Sequence, residues 1–446
     1  MISALFNAFK LPDLRRRIFY TVLILVIYRM AANIPSPGVD RTALQMFFES
    51  ASQSGTGAFV GLLDLLSGGA VSNFSVLAAG VYPYVTASLV LQLLLPIFPK
   101  WEQRIKDEGE EGQRKMNRWT FYLTVPLALL QAYGQAQLFR SATIGTQQIL
   151  PNFGWGATQI LPTLTLLLTM TGGTMFAIWL GELITEQGIG NGLSLIIFGG
   201  IVSRVPSSLR SILMEGGEKV TLTGGIWAVV FVLLTAMVMF LIVFVQNGER
   251  RVKVQYGKRV RGMKVYGGGS TYIPLKINTA GMIPLIFAQS ILAFPAVIAQ
   301  FLLGSTNSSV VTFANGVIEF FGGQHPWYAP VYFLAVVGFT YFYTFVMIEQ
   351  QNLPEMLQKQ GGFIPGVRPG KKTEEFITSI YQRITLVGAL FLGFVAVIPY
   401  IVGIFMPNSQ MLIQSSGLLI VVGTVMDTMR QLEAQLLMRN YEGFLR

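Results

Sequence analysis

The sequence predicts an all-α polytopic membrane protein: ten transmembrane helices in two inverted five-helix halves around a central pore, with a re-entrant plug. Three observations carry this. Of 446 residues, 52% are hydrophobic and only 12% charged, about half the charge of a soluble domain. Apolar runs near 20 residues recur along the chain, whose mean hydropathy is +0.54, and basic residues collect on alternate loops. Last, a broken half-element stands directly before a full span.

The expected spans are 18–34, 74–96, 119–139, 160–181, 191–206, 226–245, 277–303, 327–348, 376–402 and 411–427. The first has no small-residue cleavage site and reads as an anchor. The fifth is short, and the seventh is broken by Pro284 and Pro295. With the N-terminus inside, 25 of the 32 lysines and arginines fall on inner segments and five on outer ones. Arg29 and Arg383 lie within spans. This is the positive-inside pattern, and an even number of spans puts both termini in the cytosol. Spans one to five (residues 1–206) and six to ten (207–446) form two halves of opposite orientation, whose interface is the place for a working site.

The broken element runs from Leu62 to Asn73. Its apolar piece is too short to cross a bilayer, which takes roughly 20 residues, and Ser67-Gly68-Gly69 resists helix formation. Irregular backbone at membrane depth survives only inside protein or against a water-filled cavity. A stopper folded into the outer mouth satisfies that condition; a surface amphipathic segment is the plainer alternative. Within span two, Val81 and Val85 share a helix face. A ring of such side chains makes a dry constriction, although ordinary helix packing uses the same spacing.

Two inner loops stand apart. Residues 246–276 hold eight basic residues and one acid, Glu249, and alternate at period two around Val252–Tyr256, as a β-hairpin-like finger does. Residues 349–375 carry GGFIPGVRPGKK, a Pro/Gly tip bearing Arg368. A cytosolic tail occupies 428–446. Such basic loops set topology and touch anionic lipid; eight basic residues on one finger also fit a polyanion or an acidic protein surface.

Other chemistries find no residues. The chain has no cysteine and one histidine, His325, so thiolate or His-cluster metal sites are excluded. No GxxxxGK[ST] loop is present, and no cofactor is expected. The spans lack the paired carboxylates of a coupled transporter, and no nucleophile–base pair marks a hydrolase.

The chain resembles the SecY/Sec61-alpha family over essentially its whole length. The resemblance rests on LSGGAVSNFSVLAAGVYPYVTAS (66–88), GEEGQRKMN (109–117), GIGNGLSLIIFGGIV (188–202), ERRVKVQYGKRVRGMKVYGG (249–268) and STYIPLKINTAGMIPLIFAQS (270–290). It continues through GGFIPGVRPGKKT (361–373), RITLVGALFLG (383–393) and GLLIVVGTVMDTMRQLEAQLLMRNYEGFL (417–445). Glu349 to Pro354, at the base of the second loop, departs from the family pattern.

The resemblance implies a non-enzymatic protein-conducting channel in the bacterial cytoplasmic membrane. Its plug would include Leu63, Asp64, Leu65, Leu66, Ser67, Gly68 and Gly69, and its pore ring Val81, Val85, Leu193, Ile197, Ile286 and Ile420. A lateral gate would open between spans two/three and seven/eight, lined by Thr86, Gln92, Gln131 and Phe294. Arg250, Arg251, Lys258, Arg259 and Arg368 would receive the SecA motor or the ribosome. The implied partners are the small subunits SecE and SecG, signal sequences, nascent chains and anionic lipids. Signal helices would partition into the gate, the plug would leave, and apolar segments would exit sideways into lipid.

Overall fold

The computed structural model describes residues 11–444 except 45, 47–66, 68–69, 96–97, 99–100, 102, 106–107, 142, 145–146, 157, 204, 207–209, 211–221, 257–258, 262–263, 267–268, 282, 304–306, 322–324, 352 and 406–414. The described chain is mostly helical. In order come α1 (Pro12–Ala31), α2 (Tyr82–Leu94), α3 (Glu110–Ser141), α4 (Ile160–Gln187), α5 (Gly192–Val202), α6 (Leu222–Asn247), α7 (Ile283–Leu302) and α8 (Ser308–Phe321). They are followed by α9 (Tyr328–Gln351), α10 (Leu353–Lys359), α11 (Lys371–Phe405) and α12 (Ser415–Phe444).

Four stretches among the described residues are long and apolar enough to span a bilayer: Ile160–Gln187, Gly225–Asn247, Tyr328–Ile348 and Lys371–Ile398. A helix overlaps each of the other expected spans, with boundaries set by local chemistry. Pro12 opens α1 in its first turn, where a missing N–H costs nothing. Asn191 caps α5 by accepting from the Ser194 backbone N–H at 3.2 Å. Pro284 lies in the first turn of α7, and Pro295 sits inside the helix, which runs on to Leu302. The expected break at these two prolines is therefore absent.

The second span departs most from expectation. Helix α2 starts at Tyr82, not near residue 74. Residues 71–80 form successive turns instead, with Phe74 N–H on the Val71 carbonyl (2.8 Å), Ala78 on Ser75 (2.9 Å) and Gly80 on Leu77 (2.8 Å). The Ser75 hydroxyl accepts from Leu77 N–H at 3.1 Å. Such local side-chain bonds compete with helix formation.

Helix α1 packs on α4 and α5, α2 and α4 pack on α3, and α5 packs on α12. Helix α7 lies against α2, α3, α8 and α9, while α11 joins α9 to α12. The basic loops sit at one end, here the basic end, with the start of α1 and the ends of α4, α6 and α12. There Leu14, Ile189, Met429 and Leu432 form one buried cluster.

Outside the helices, β3 (Glu249–Tyr256) and β6 (Ser270–Lys276) form the expected antiparallel finger, in register from Glu249↔Lys276 to Gln255↔Ser270. A third strand, β7 (Gly362–Phe363), arrives from the other loop and pairs with β3 at Gln255↔Phe363. At the finger's tip, β4 (Arg259–Arg261) pairs with β5 (Lys264–Tyr266). The opposite end carries a two-residue hairpin, β1 (Thr143–Ile144) and β2 (Gln147–Gln148).

Candidate pore and gate

The turn before α2 delivers Val81 into a buried cluster shared with α1, α4, α5 and α12. Val81, Ile197 and Ile420 are 1%, 4% and 0% exposed, and Val85 and Leu193 pack against the same cluster. Five of the six ring residues read from the sequence are thus brought together. Ile286 lies on α7, and its side chain is outside the described residues.

The same cluster holds Ala70 and Leu77. Of the plug candidates, Leu63, Asp64, Leu65, Leu66, Gly68 and Gly69 lie outside the described residues, and Ser67 is buried at 1%. The Ser67 hydroxyl accepts from the N–H groups of Ala70 and Val71, both at 3.2 Å. The fully buried Tyr28 on α1 donates its hydroxyl to the Ser67 carbonyl at 2.8 Å. Ala70 is therefore packed into the aliphatic cluster, and Ser67 is tied to α1.

Its far end is anchored differently. Phe74 is fully buried with φ of 38°, a left-handed conformation that bulky residues rarely adopt and that costs about 1–2 kcal/mol. Its ring meets Phe139 of α3 edge-on, 4.8 Å between centroids. Its carbonyl accepts from Ser36 N–H at 3.0 Å, and Val76 N–H bonds the Ile34 carbonyl at 3.0 Å. Gly173 of α4 abuts the Val76 carbonyl so closely that a β-carbon there would overlap it.

A seam runs between α2/α3 and α7/α9, and the gate candidates lie on three of these helices, Thr86 and Gln92 on α2, Gln131 on α3 and Phe294 on α7. Near the basic end, Leu89 and Val85 of α2 pack with Phe287 of α7 and Tyr343 of α9; the two rings meet edge-on at 5.8 Å. Toward the opposite end, Ala296 of α7 enters a cluster with Ala132, Ala136 and Phe139 of α3. Small residues at such a crossing let backbones approach. Gln131 is buried on α3 at 7%. Thr86 bonds back to the Tyr82 carbonyl at 3.0 Å, and Gln92 donates to the Ser88 hydroxyl at 3.2 Å. Phe294 is 52% exposed, on a part of α7 turned from the packed face. Leu89, Phe287, Ala296 and Tyr343 were not singled out from sequence. Their only signal was the three-and-four spacing of 85/89, 283/287 and 292/296/299.

Of the docking candidates, Arg250, Arg251 and Arg368 sit on one folded platform. Val252, Val254 and Leu275 of the finger share a core with Leu357 and Ile364 of the second loop and with Ile377, Ile380 and Tyr381 of α11. Arg250 is exposed, and Arg251 pairs with Glu249 at 2.8 Å. Arg368 is exposed, its carbonyl accepting from the Thr373 hydroxyl at 2.9 Å. Arg259 lies in β4 with its side chain undescribed, and Lys258 lies outside the described residues. No His/Asp/Glu group suited to a metal ion occurs among the described residues.

The SecY family model matches residues 75–429. The protein translocase subunits SecY of Halalkalibacterium halodurans and Streptomyces galbus are 42% and 41% identical to this chain, each over the full length of both proteins. That of Mycobacterium tuberculosis is 39% identical, also end to end. Among solved structures, a protein-conducting channel aligns with a TM-score of 0.59 at 16% identity, covering 94% of this chain and 92% of its own. A SecY structure described for its channel-closing plug domain aligns at 0.60 and 17%, with the same coverage. Sec61 from a canine ribosome–channel complex aligns at 0.56 and 16%, again with that coverage. The likeness to these structures establishes a common fold.

Proposed function

The chain belongs to the SecY family, and on that premise we propose that it is the pore-forming subunit of a bacterial protein translocase. It passes unfolded polypeptides across the cytoplasmic membrane and releases apolar segments sideways into lipid. The carrying observation is the aliphatic cluster of Val81, Val85, Leu193, Ile197 and Ile420, which also takes in Ala70, with Ser67 buried beside it. A narrow aliphatic ring excludes water and therefore ions, yet yields to a threading chain.

In this reading the ten expected spans cross the membrane as two halves, with both termini in the cytosol. Residues 62–73 are the plug, and Ile286 completes the ring from α7. The α2/α3–α7/α9 seam is the lateral gate. A signal helix enters it because hydrocarbon is its better solvent, separates the halves and frees the plug. No covalent step falls to this chain. The work comes from SecA or a ribosome docked on the two-loop platform, with SecE and SecG as companion subunits and anionic lipid around the basic end.

Tyr28→Phe removes one bond to the plug. At about 1 kcal/mol for such a bond, the resting ion leak is expected to rise about fivefold, measured as salt efflux from proteoliposomes. An unchanged leak would show that this bond does not restrain the plug.

The gate is tested by linkage. The native chain has no cysteine, so Leu89→Cys with Phe287→Cys can be bridged unambiguously. The bridged protein is expected to lose signal-dependent export and membrane insertion down to background and to recover both on release of the bridge. Undiminished export from fully bridged protein would end the gate assignment.

A further inference from the structure

The turn between α4 and α5 is held by side chains from three helices. The Ile189 N–H donates to the Thr21 hydroxyl of α1 at 3.1 Å, the Gly190 N–H to the Gln431 side-chain carbonyl of α12 at 3.0 Å, and the Gly192 N–H to the Thr185 hydroxyl of α4 at 2.9 Å. Gly190 is buried with φ of 89°, and a β-carbon there would lie 2.8 Å from the Thr428 hydroxyl, so the turn runs hard against α12. Thr21 and Thr185 tie the turn to α1 and α4. Gln431 alone of the three reaches it from α12, and the function above gives Gln431 no role.

Both helices joined by this bond carry residues of the aliphatic cluster. Leu193 and Ile197 of α5 follow Gly190 by three and seven residues. On α12, Ile420, Thr424, Thr428 and Gln431 are spaced four, four and three apart, so they share one face. The face that meets Gly190 through Thr428 and Gln431 is therefore the one that carries Ile420, about 16 Å further along the helix. Ile189 also packs with Met429 and Leu432, but apolar attraction is non-directional and lets one surface slide on another. The hydrogen bond fixes α5 at one position along α12.

We propose that Gln431 is a positioning residue for the pore: by holding Gly190 it sets the height of Leu193 and Ile197 against Ile420, and so how tightly the ring shuts. The inference rests on the pore-ring reading given above. A dry constriction excludes ions only while its side chains meet at one level. Without its acceptor the buried Gly190 N–H is left unpaired, a cost the chain relieves by moving the turn toward water. Helix α5 then carries its two ring side chains out of register with Ile420. Gln431 is itself exposed, so the bond can be removed without opening a core.

The test measures salt efflux from proteoliposomes holding the unaltered chain, Gln431→Leu or Gln431→Glu. Loss of the bond in Gln431→Leu is expected to raise the resting leak about fivefold. Gln431→Glu keeps an acceptor oxygen at the same reach and is expected to stay at the unaltered level. An unchanged leak in Gln431→Leu, whatever its thermal midpoint, would reduce the bond to a structural tie and overturn the proposal, as would an equal rise in both variants. Ile197→Ala separates this inference from the ring reading, because it widens the ring directly and its leak is expected to rise. Silence there removes the ring and the inference with it, whereas a leak there beside a silent Gln431→Leu removes the inference alone. In the double variant the two leaks are expected to fall short of multiplying, since both act on one constriction. Full multiplication would place the effect of Gln431 elsewhere and end its positioning role.

Discussion

Deleting residues 65–70 is expected to turn an electrically silent protein into one that flickers open with a large ion current in planar bilayers. Ala70, 0% exposed, belongs to the aliphatic cluster around Val81, and Ser67, 1% exposed, is hydrogen-bonded to it. Emptying a buried position of this kind costs a folded state about 3 kcal/mol, which shifts a two-state equilibrium by more than a hundredfold. The deletion also removes Ser67, the anchor held by Tyr28 at 2.8 Å. Opening should be intermittent rather than permanent, because Val81, Ile197 and Ile420 remain to close a second, dry barrier. The intact chain supplies the baseline under the same voltage. If both proteins stay silent until a particular small solute is added, the plug assignment falls and a coupled transporter takes its place.

The broken element at 62–73 stood out because its composition conflicts with its position. Ser-Gly-Gly and an isolated Asp64 interrupt an apolar stretch just before a long apolar run. The turn at 71–80 was not legible, because Val71, Leu77, Ala78 and Ala79 have the composition of a helix. Its backbone is diverted by Ser75 and by contacts with Ile34 and Ser36, some 40 residues away. Helix α8 was missed for the opposite reason: its apolar face is real, but at 14 residues the segment is too short to register as a span.

The site divides along the same line. The residues of α2, α5 and α12 that cluster together came through a family resemblance, since helices that are apolar all round do not reveal which face meets which partner. That ambiguity hid Leu89, Phe287 and Ala296. The pairing of Gln255 with Phe363 joins residues more than 100 positions apart, and local alternation carries no trace of it. The finger's own alternation was readable because a half-buried strand declares its two faces: Val252 and Val254 are buried, while Arg251 and Lys253 are exposed.

That strand pairing bears on the second large effect. Arg368→Glu is expected to cut motor-driven export by at least about a hundredfold while leaving the protein folded. Arg368 is exposed, so reversing its charge disturbs no core. Its backbone, however, is fixed. Ile364 and Val367 pack into the platform core, and Val367 N–H bonds the Ile364 carbonyl at 3.0 Å. Gly366 and Gly370 turn the chain at φ of 84° and 97°, a region glycine occupies without strain. The guanidinium is thus presented from a rigid mount, so little ordering cost is left for binding. Losing such a pre-positioned charge and replacing it with a repelling one costs several kcal/mol where the partner surface is acidic. Arg368→Lys keeps the charge but not the planar fork, and an intermediate loss would mark bidentate recognition. Thermal midpoints of both variants should match the unaltered chain, because Arg368 belongs to no buried cluster among the described residues. ATP-driven precursor uptake into proteoliposomes reads the effect directly. Full uptake by Arg368→Glu would exclude this tip as the docking point and leave the finger's Arg250 and Arg251 as the surface to test.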